Sequence, residues 1–299
     1  MHSRVLRGEP GLEVRYASRD PARAEAFKRR YRGARAYPSY DAAFDDATLD
    51  VVVVATPPRE HLPLVLRALA AGKCVIVEKP AFLAAGDVAT VRQAAAEARR
   101  SVFVAENYAY KPLLRVLREV LDSGVVGEPL FLQLNAVRLQ RIPGWREDAA
   151  MGGGALLEGG IHWLHFLASL NLPIRAVRGA RPGRRNGPDR SMLVVVEYGT
   201  GPIATLHYSW DVPSPLRGLR LSHLWATAGG VTFETNGAFV AVHGRRRRLL
   251  VPAPRDIAGY RAMWRDFLDA LRSGRAPRMT LDLAERDLRL VEAVHATVA

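Results

Sequence analysis

The sequence predicts a doubly wound α/β domain over residues 1–127, followed over 128–299 by an α+β domain carrying a mostly antiparallel open sheet. Three observations lead there. Short apolar runs alternate with helix-period segments from Leu12 to Ala105, the pattern of repeated βα units. The valine run Val51–Val54 marks a strand buried on both faces of a parallel sheet. Beyond about residue 128, strand-like segments succeed one another across short turns, which implies antiparallel pairing.

Taken in order, residues 12–17 read as a strand, and 21–31 as a helix with Ala22, Ala26 and Phe27 on one face. Asp20 caps that helix and Pro21 opens it. Strand 50–55 precedes helix 59–71, which ends at Gly72; strand 74–77, helix 86–99 and strand 102–105 continue the alternation. In the second half, strands are expected at 129–140, 191–199, 202–211, 219–226, 230–235 and 238–243, with turns such as Gly199-Thr200-Gly201 and Asn236-Gly237. A glycine-rich segment and helix occupy 152–170, and helices near 257–273 and 281–298 end the chain.

Composition narrows the function. With 299 residues, 48% of them hydrophobic and 24% charged, the chain is neither a disordered tail, a collagen repeat nor a disulfide scaffold. Its single cysteine, Cys74, cannot pair internally and reads as a buried strand residue; a reducing, cytoplasmic setting is expected. No apolar run approaches the ~20 residues that span a bilayer, and Met1-His2-Ser3-Arg4 opens no secretion signal. The net charge of +13 raises the question of nucleic acid. Only Lys28, Lys73, Lys79 and Lys111 are lysines, so arginine dominates, scattered except for Arg245–Arg248, which reads as a solvated hairpin. Without a nucleic-acid motif, the excess fits an anionic small ligand better.

Lys79 ends a buried strand, and the carboxyl ends of parallel strands are where such sheets bind ligands. An ammonium there can polarise a substrate oxygen; the bland alternative is a lysine at a strand end stopped by Pro80. Glu158 and His162 are four apart, on one face of a helix, where a carboxylate would raise the basicity of the imidazole and fix its tautomer. The alternative is a capping glutamate and a packed histidine. His165 makes a His-x-x-His pair with His162, but no third firm metal ligand accompanies them, so the site reads as metal-free. Tyr108, Tyr110, Trp145, Arg146 and His165 are candidate substrate-wall residues.

The segments Ala55-Thr56-Pro57-Pro58, His61, Ala71-Gly72-Lys73 and Val77-Glu78-Lys79-Pro80 resemble the nucleotide domain of the Gfo/Idh/MocA oxidoreductases. Glu106-Asn107-Tyr108, Gly144-Trp145-Arg146 and Gly152-Gly153-Gly154 through His162 resemble the rest of that pattern, in order. The resemblance implies a Rossmann domain, NAD(P)-dependent redox chemistry on sugars or polyols, a catalytic Lys79 followed by a cis proline, and a catalytic His162 partnered by Glu158. It further implies that Ala55, Thr56, Pro57, His61, Glu78, Lys79 and Asn107 line the cofactor. Where Glu158 stands the family usually has aspartate.

The Rossmann fingerprint G-x-G-x-x-G is absent. Ser18 matches the ribose-reading position, so the glycine loop is expected at or before Met1, and strands 12–17 and 50–55 are expected to lack the neighbour between them. Ser18-Arg19 in place of a carboxylate favours the 2′-phosphate of NADP over NAD. The expected function is an NADP-dependent dehydrogenase or reductase of a secondary alcohol or carbonyl, acting as a homo-oligomer. The alternative is a truncated, non-catalytic pseudoenzyme or a nucleotide-sensing binding protein of the same fold.

Overall fold

The first domain forms where local signals are strongest. In the computed structural model, described for residues 1–142, 144–183, 186–213 and 218–298, the chain opens with α1 (His2–Leu6), β1 (Arg15–Ala17) and α2 (Pro21–Tyr31). Asp20 Oδ1 accepts from Ala22 N at 2.9 Å, and Pro21 takes the first helical position, where its missing N–H costs nothing. Then come β2 (Arg35–Tyr37), α3 (Tyr40–Phe44), β3 (Val51–Val54), α4 (His61–Ala70), β4 (Cys74–Glu78), α5 (Asp87–Ala98), β5 (Val102–Ala105) and α6 (Pro112–Asp122). Cys74 opens β4 and is only half-buried.

The strands of this domain are parallel but form two sheets, β1–β2 and β3–β4–β5. Among the described residues no strand pairs with the facing edges of β1 and β3, and Val53 is 36% exposed. Val75, Ile76 and Val77 of β4 are fully buried between the helices. Helix α6 buries Leu113, Leu114 and Leu117; each such side chain contributes about 1.5–3 kcal/mol by leaving water.

The second domain contains β6 (Pro129–Val137), α7 (Ile161–Ala168), β7 (Ile174–Ala180), β8 (Ser191–Tyr198), β9 (Ile203–Ser209), β10 (Leu221–Ala226), β11 (Gly229–Glu234), β12 (Val240–His243) and β13 (Arg247–Leu250). Its sheet order is β13-β12-β11-β10-β6-β9-β8-β7, antiparallel except for the central parallel pair β6–β9. Alternation gives one face to the core, through Leu134, Val194, Leu206 and Phe233, and leaves Phe131, Ile203 and Trp225 on the other. Arg245–Arg248 occupy the exposed β12–β13 hairpin and edge.

Two final helices, α8 (Tyr260–Ser273) and α9 (Leu281–Ala296), return to the first domain. Phe267 of α8 packs on Phe103 of β5 at 5.3 Å between ring centroids, and Glu292 of α9 accepts from Ala85 N at 2.8 Å. The parallel strands end with β5 and the large sheet begins with β6, while α9 packs on elements of both.

Candidate active site

Lys79 follows β4 directly, and the Lys79–Pro80 peptide is cis. Its ammonium donates to the main-chain oxygen of Glu158 and lies 3.6 Å from Glu158 Oε1. Behind it, His61 is 1% exposed, with Nδ1 3.0 and 3.1 Å from Pro80 O and Ala81 O and Nε2 2.9 Å from Thr56 O. Burial lowers its pKa against the pull of those carbonyls. His61 thus braces the strand-end loops against each other, and its side chain is spent on the protein.

The glycine-rich segment is pressed against this edge. Gly152 has φ +85°, and a Cβ there would come within 2.8 Å of Pro58 and 2.6 Å of Leu83. Asp189, remote in sequence, holds the start of the next helix: its main-chain oxygen accepts from Ala155 N and its carboxylate from Leu156 N, each at 2.7 Å. Residues Leu156–Gly160 then form a π turn before α7 begins. That wider turn alters the expected Glu158–His162 pairing: each side chain takes its hydrogen bonds from another element, and His162 acts on the Glu158 carboxylate only through its charge.

Glu158 instead accepts from Arg146 Nε at 3.0 Å. His162 Nδ1 meets both oxygens of Glu106, at 2.6 and 2.8 Å, and Tyr108 stacks on its ring at 4.4 Å. Glu106 is 2% exposed. Burial would raise its pKa, but the charge and hydrogen bond of His162, the His165 charge and the Tyr108 N–H outweigh it and hold the carboxyl at about 2. A carboxylate can only accept, so Nδ1 carries the proton, and in the neutral ring Nε2 is the basic nitrogen. Sequence reasoning missed this pairing because the partners stand 56 residues apart on different elements. Glu158 is likewise ionised: burial pushes it up, and Lys79 and Arg146 bring it below the ordinary carboxylate range.

Other expected wall residues need correction. His165 is 1% exposed and paired with Asp287 Oδ2 at 2.7 Å, so it faces the α7–α9 interior and no ligand. Tyr110 is 3% exposed and donates to Asp266 Oδ2 at 2.6 Å. Asn107 donates its amide to Ala258 O at 2.6 Å, and the Glu78 carboxylate pairs with His2 and Lys79 N. Trp145 and Arg146 remain half-buried, the guanidinium 4.6 Å from the indole centroid. Among the described residues no group of three or more His, Cys, Asp and Glu could hold a metal.

The edge fits a dinucleotide. Thr56 Oγ1 is buried without a hydrogen-bond partner, Ala55 beside it is exposed, and Pro57 starts the turn into α4. At the end of β1, Ser18 Oγ accepts from Asp20 N at 3.3 Å, and the exposed Arg19 guanidinium lies 4.0 Å from Glu60. The Asp20 carboxylate is occupied capping α2.

Residues 4–106 match the profile described as "Oxidoreductase family, NAD-binding Rossmann fold", of the GFO/IDH/MocA group, and residues 114–246 match its C-terminal domain. A trans-1,2-dihydrobenzene-1,2-diol dehydrogenase from Mus musculus is 34% identical over 206 residues, 66% of this chain and 61% of that protein. An inositol 2-dehydrogenase from Acidothermus cellulolyticus is 34% identical over 217 residues, 70% of this chain and 61% of that one. The chain thus spans about three fifths of the length of the curated relatives it matches. Among solved structures, GenD2 from gentamicin A biosynthesis, in complex with NAD, superimposes with a TM-score of 0.84 at 25% identity, over 99% of this chain and 89% of its own. The 3-ketoreductase KijD10 from Actinomadura kijaniata, in complex with NADP, shares the fold at a TM-score of 0.85 and 24% identity, over 99% of this chain and 93% of its own.

Proposed function

Because the chain belongs to the Gfo/Idh/MocA oxidoreductase family, we propose that it is an NADP-dependent oxidoreductase acting on a secondary alcohol or carbonyl of a sugar, polyol or related small molecule. One observation carries the reading. The Lys79 ammonium is bonded to the main chain of Glu158, four residues before His162, so one short segment holds cation and imidazole together.

In the oxidative direction, His162 Nε2 takes the hydroxyl proton while the Lys79 ammonium stabilises charge growing on that oxygen. Glu106 fixes the tautomer and stabilises the imidazolium that results. Glu158 and Arg146 set the ammonium's position and the wall beside it. Ser18, Arg19, Ala55, Thr56 and Pro57 would hold the dinucleotide, which supplies hydride transfer when bound. The relatives' names, a dihydrodiol and an inositol dehydrogenase, support hydroxyl-bearing substrates. Arg19, whose one ion-pair partner among the described residues is Glu60 at 4.0 Å, supports NADP. The exposure of Phe131, Ile203 and Trp225 on the open sheet face supports pairing with a second copy, and no helix among the described residues is long and apolar enough to cross a membrane. With one half-buried cysteine, the cytoplasm suits the protein.

The test is kinetic. Lys79→Met should lower turnover with dinucleotide affinity nearly intact, and His162→Asn should cost about 10²–10⁴-fold in rate. A His162→Asn protein with parental turnover and pH profile would remove the imidazole from the mechanism.

A further inference from the structure

Arg220 directly precedes β10, is in step with its buried residues Ser222 and Leu224, and is 8% exposed. Its Nε is buried without a partner, and Nη2 makes one bond, to Asn236 Oδ1 at 2.7 Å. Among the described residues, no carboxylate lies within 4.0 Å of the guanidinium. Glu234, whose charge acts on Arg220, is turned into its own loop, accepting from Asn236 N at 2.9 Å and from Asn236 Nδ2 and Ala238 N at 3.2 Å. Further cations crowd the same space: Arg138 and Lys111 both act on Arg220 electrostatically. Burial, more than these neighbours, disfavours its charge.

A buried cation with one neutral hydrogen bond is costly unless an anion completes it. The position of Arg220 says where that anion comes from. Its charge reaches the phenols of Tyr108 and Tyr208. Tyr108 stacks on His162, and Tyr208 packs against Gly159, beside Glu158. Both phenols stay protonated, because burial pushes them up.

We propose that Arg220, with Arg138 at the rim, binds an oxyanion carried by the substrate, so that the substrate is a sugar acid or sugar phosphate in preference to a neutral polyol. This rests on the Lys79–His162 cleft being the substrate site. A guanidinium suits either oxyanion through paired N–H donors, and Asn236 holds it in place from behind.

Calorimetric titration of the full chain, without dinucleotide and at fixed ionic strength, with glucose, glucuronate and glucose 6-phosphate tests this. At least one anion should bind about tenfold to a hundredfold tighter than glucose, which also tells carboxylate from phosphate. Arg220→Gln should abolish that preference, Arg220→Lys should keep part of it, and Arg245→Gln, in the distant hairpin, should keep all of it. If Arg220→Gln does not fold, Arg138→Gln and Asn236→Ala decide: one of them must weaken the preference. Equal behaviour of the three sugars, including binding of none, or a preference that survives these changes, overturns the proposal. Because binding is read without turnover, an anion preference with no dinucleotide-dependent turnover of any of the three sugars would sink the redox assignment and leave the anion site standing.

Discussion

Replacing Glu106 with Gln keeps the shape and one acceptor for His162 Nδ1–H but deletes the buried charge. In the folded protein Glu106 sits at about 2, against an ordinary 4.5. That interval corresponds to about 3 kcal/mol of stability, undiminished by solvent because the side chain is 2% exposed. The folded value lies below the unfolded one, so the contribution is complete above about pH 4.5 and is lost as pH falls toward 2. By pH 3 about 2 kcal/mol of it should be gone. Urea denaturation at intervals between pH 6 and pH 3 measures this: the stability advantage of the parent over Glu106→Gln should shrink by about that amount. Two parallel curves would refute the carboxylate–imidazolium pair as the source of the site's rigidity.

At Gly159, a Cβ would overlap the Tyr208 hydroxyl, which also accepts from Trp210 Nε1 at 3.1 Å. Gly159→Ala should cost about 2–4 kcal/mol from overpacking and a lost hydrogen bond, and Tyr208→Phe should relieve at least about 1 of it in a double-mutant cycle; additive effects would contradict the clash. Burial lowers the Lys111 ammonium to about 8 from 10.5, so the unfolded chain holds that proton more tightly. Stability should therefore gain about 3 kcal/mol from this group between pH 8 and 10.5, and urea midpoints of Lys111→Met should lack that rise. Arg19→Ala should weaken NADPH roughly tenfold to a hundredfold while sparing NADH, read by fluorescence titration; equal losses would take Arg19 off the 2′-phosphate.

Much of the framework was legible because local signals and tertiary demand agree. Helix α2 begins and ends where Asp20-Pro21 and Tyr31 predict, and strand 102–105 is found as read. Elements passed over in the sequence had weaker or divided signals. In β7 the outward positions are Arg175 and Arg178, so no apolar alternation announces it. α6 did carry a signal, Pro112 followed by leucines at helical spacing, and could have been found. The site was legible as a set of residues and not as a set of partners. Lys79 and His162 were visible, but the π turn that parts Glu158 from His162, the Glu106 carboxylate and the Asp189 cap are all decided by contacts between distant segments.

The return of α8 and α9 to the first domain has a consequence for synthesis. Phe103 packs on Phe267, Asn107 bonds the Ala258 carbonyl, and Arg92 pairs with Asp282 and Glu285. As the chain leaves the ribosome, the nucleotide half therefore waits, with an apolar flank uncovered, until almost the whole second half has been made. Translation order and folding order are decoupled: the half made earlier is among the later parts to close. A chaperone that shields such a flank would have its work between the emergence of β5 and that of α9, and nascent chains halted in that interval should be far more sensitive to protease than the released protein.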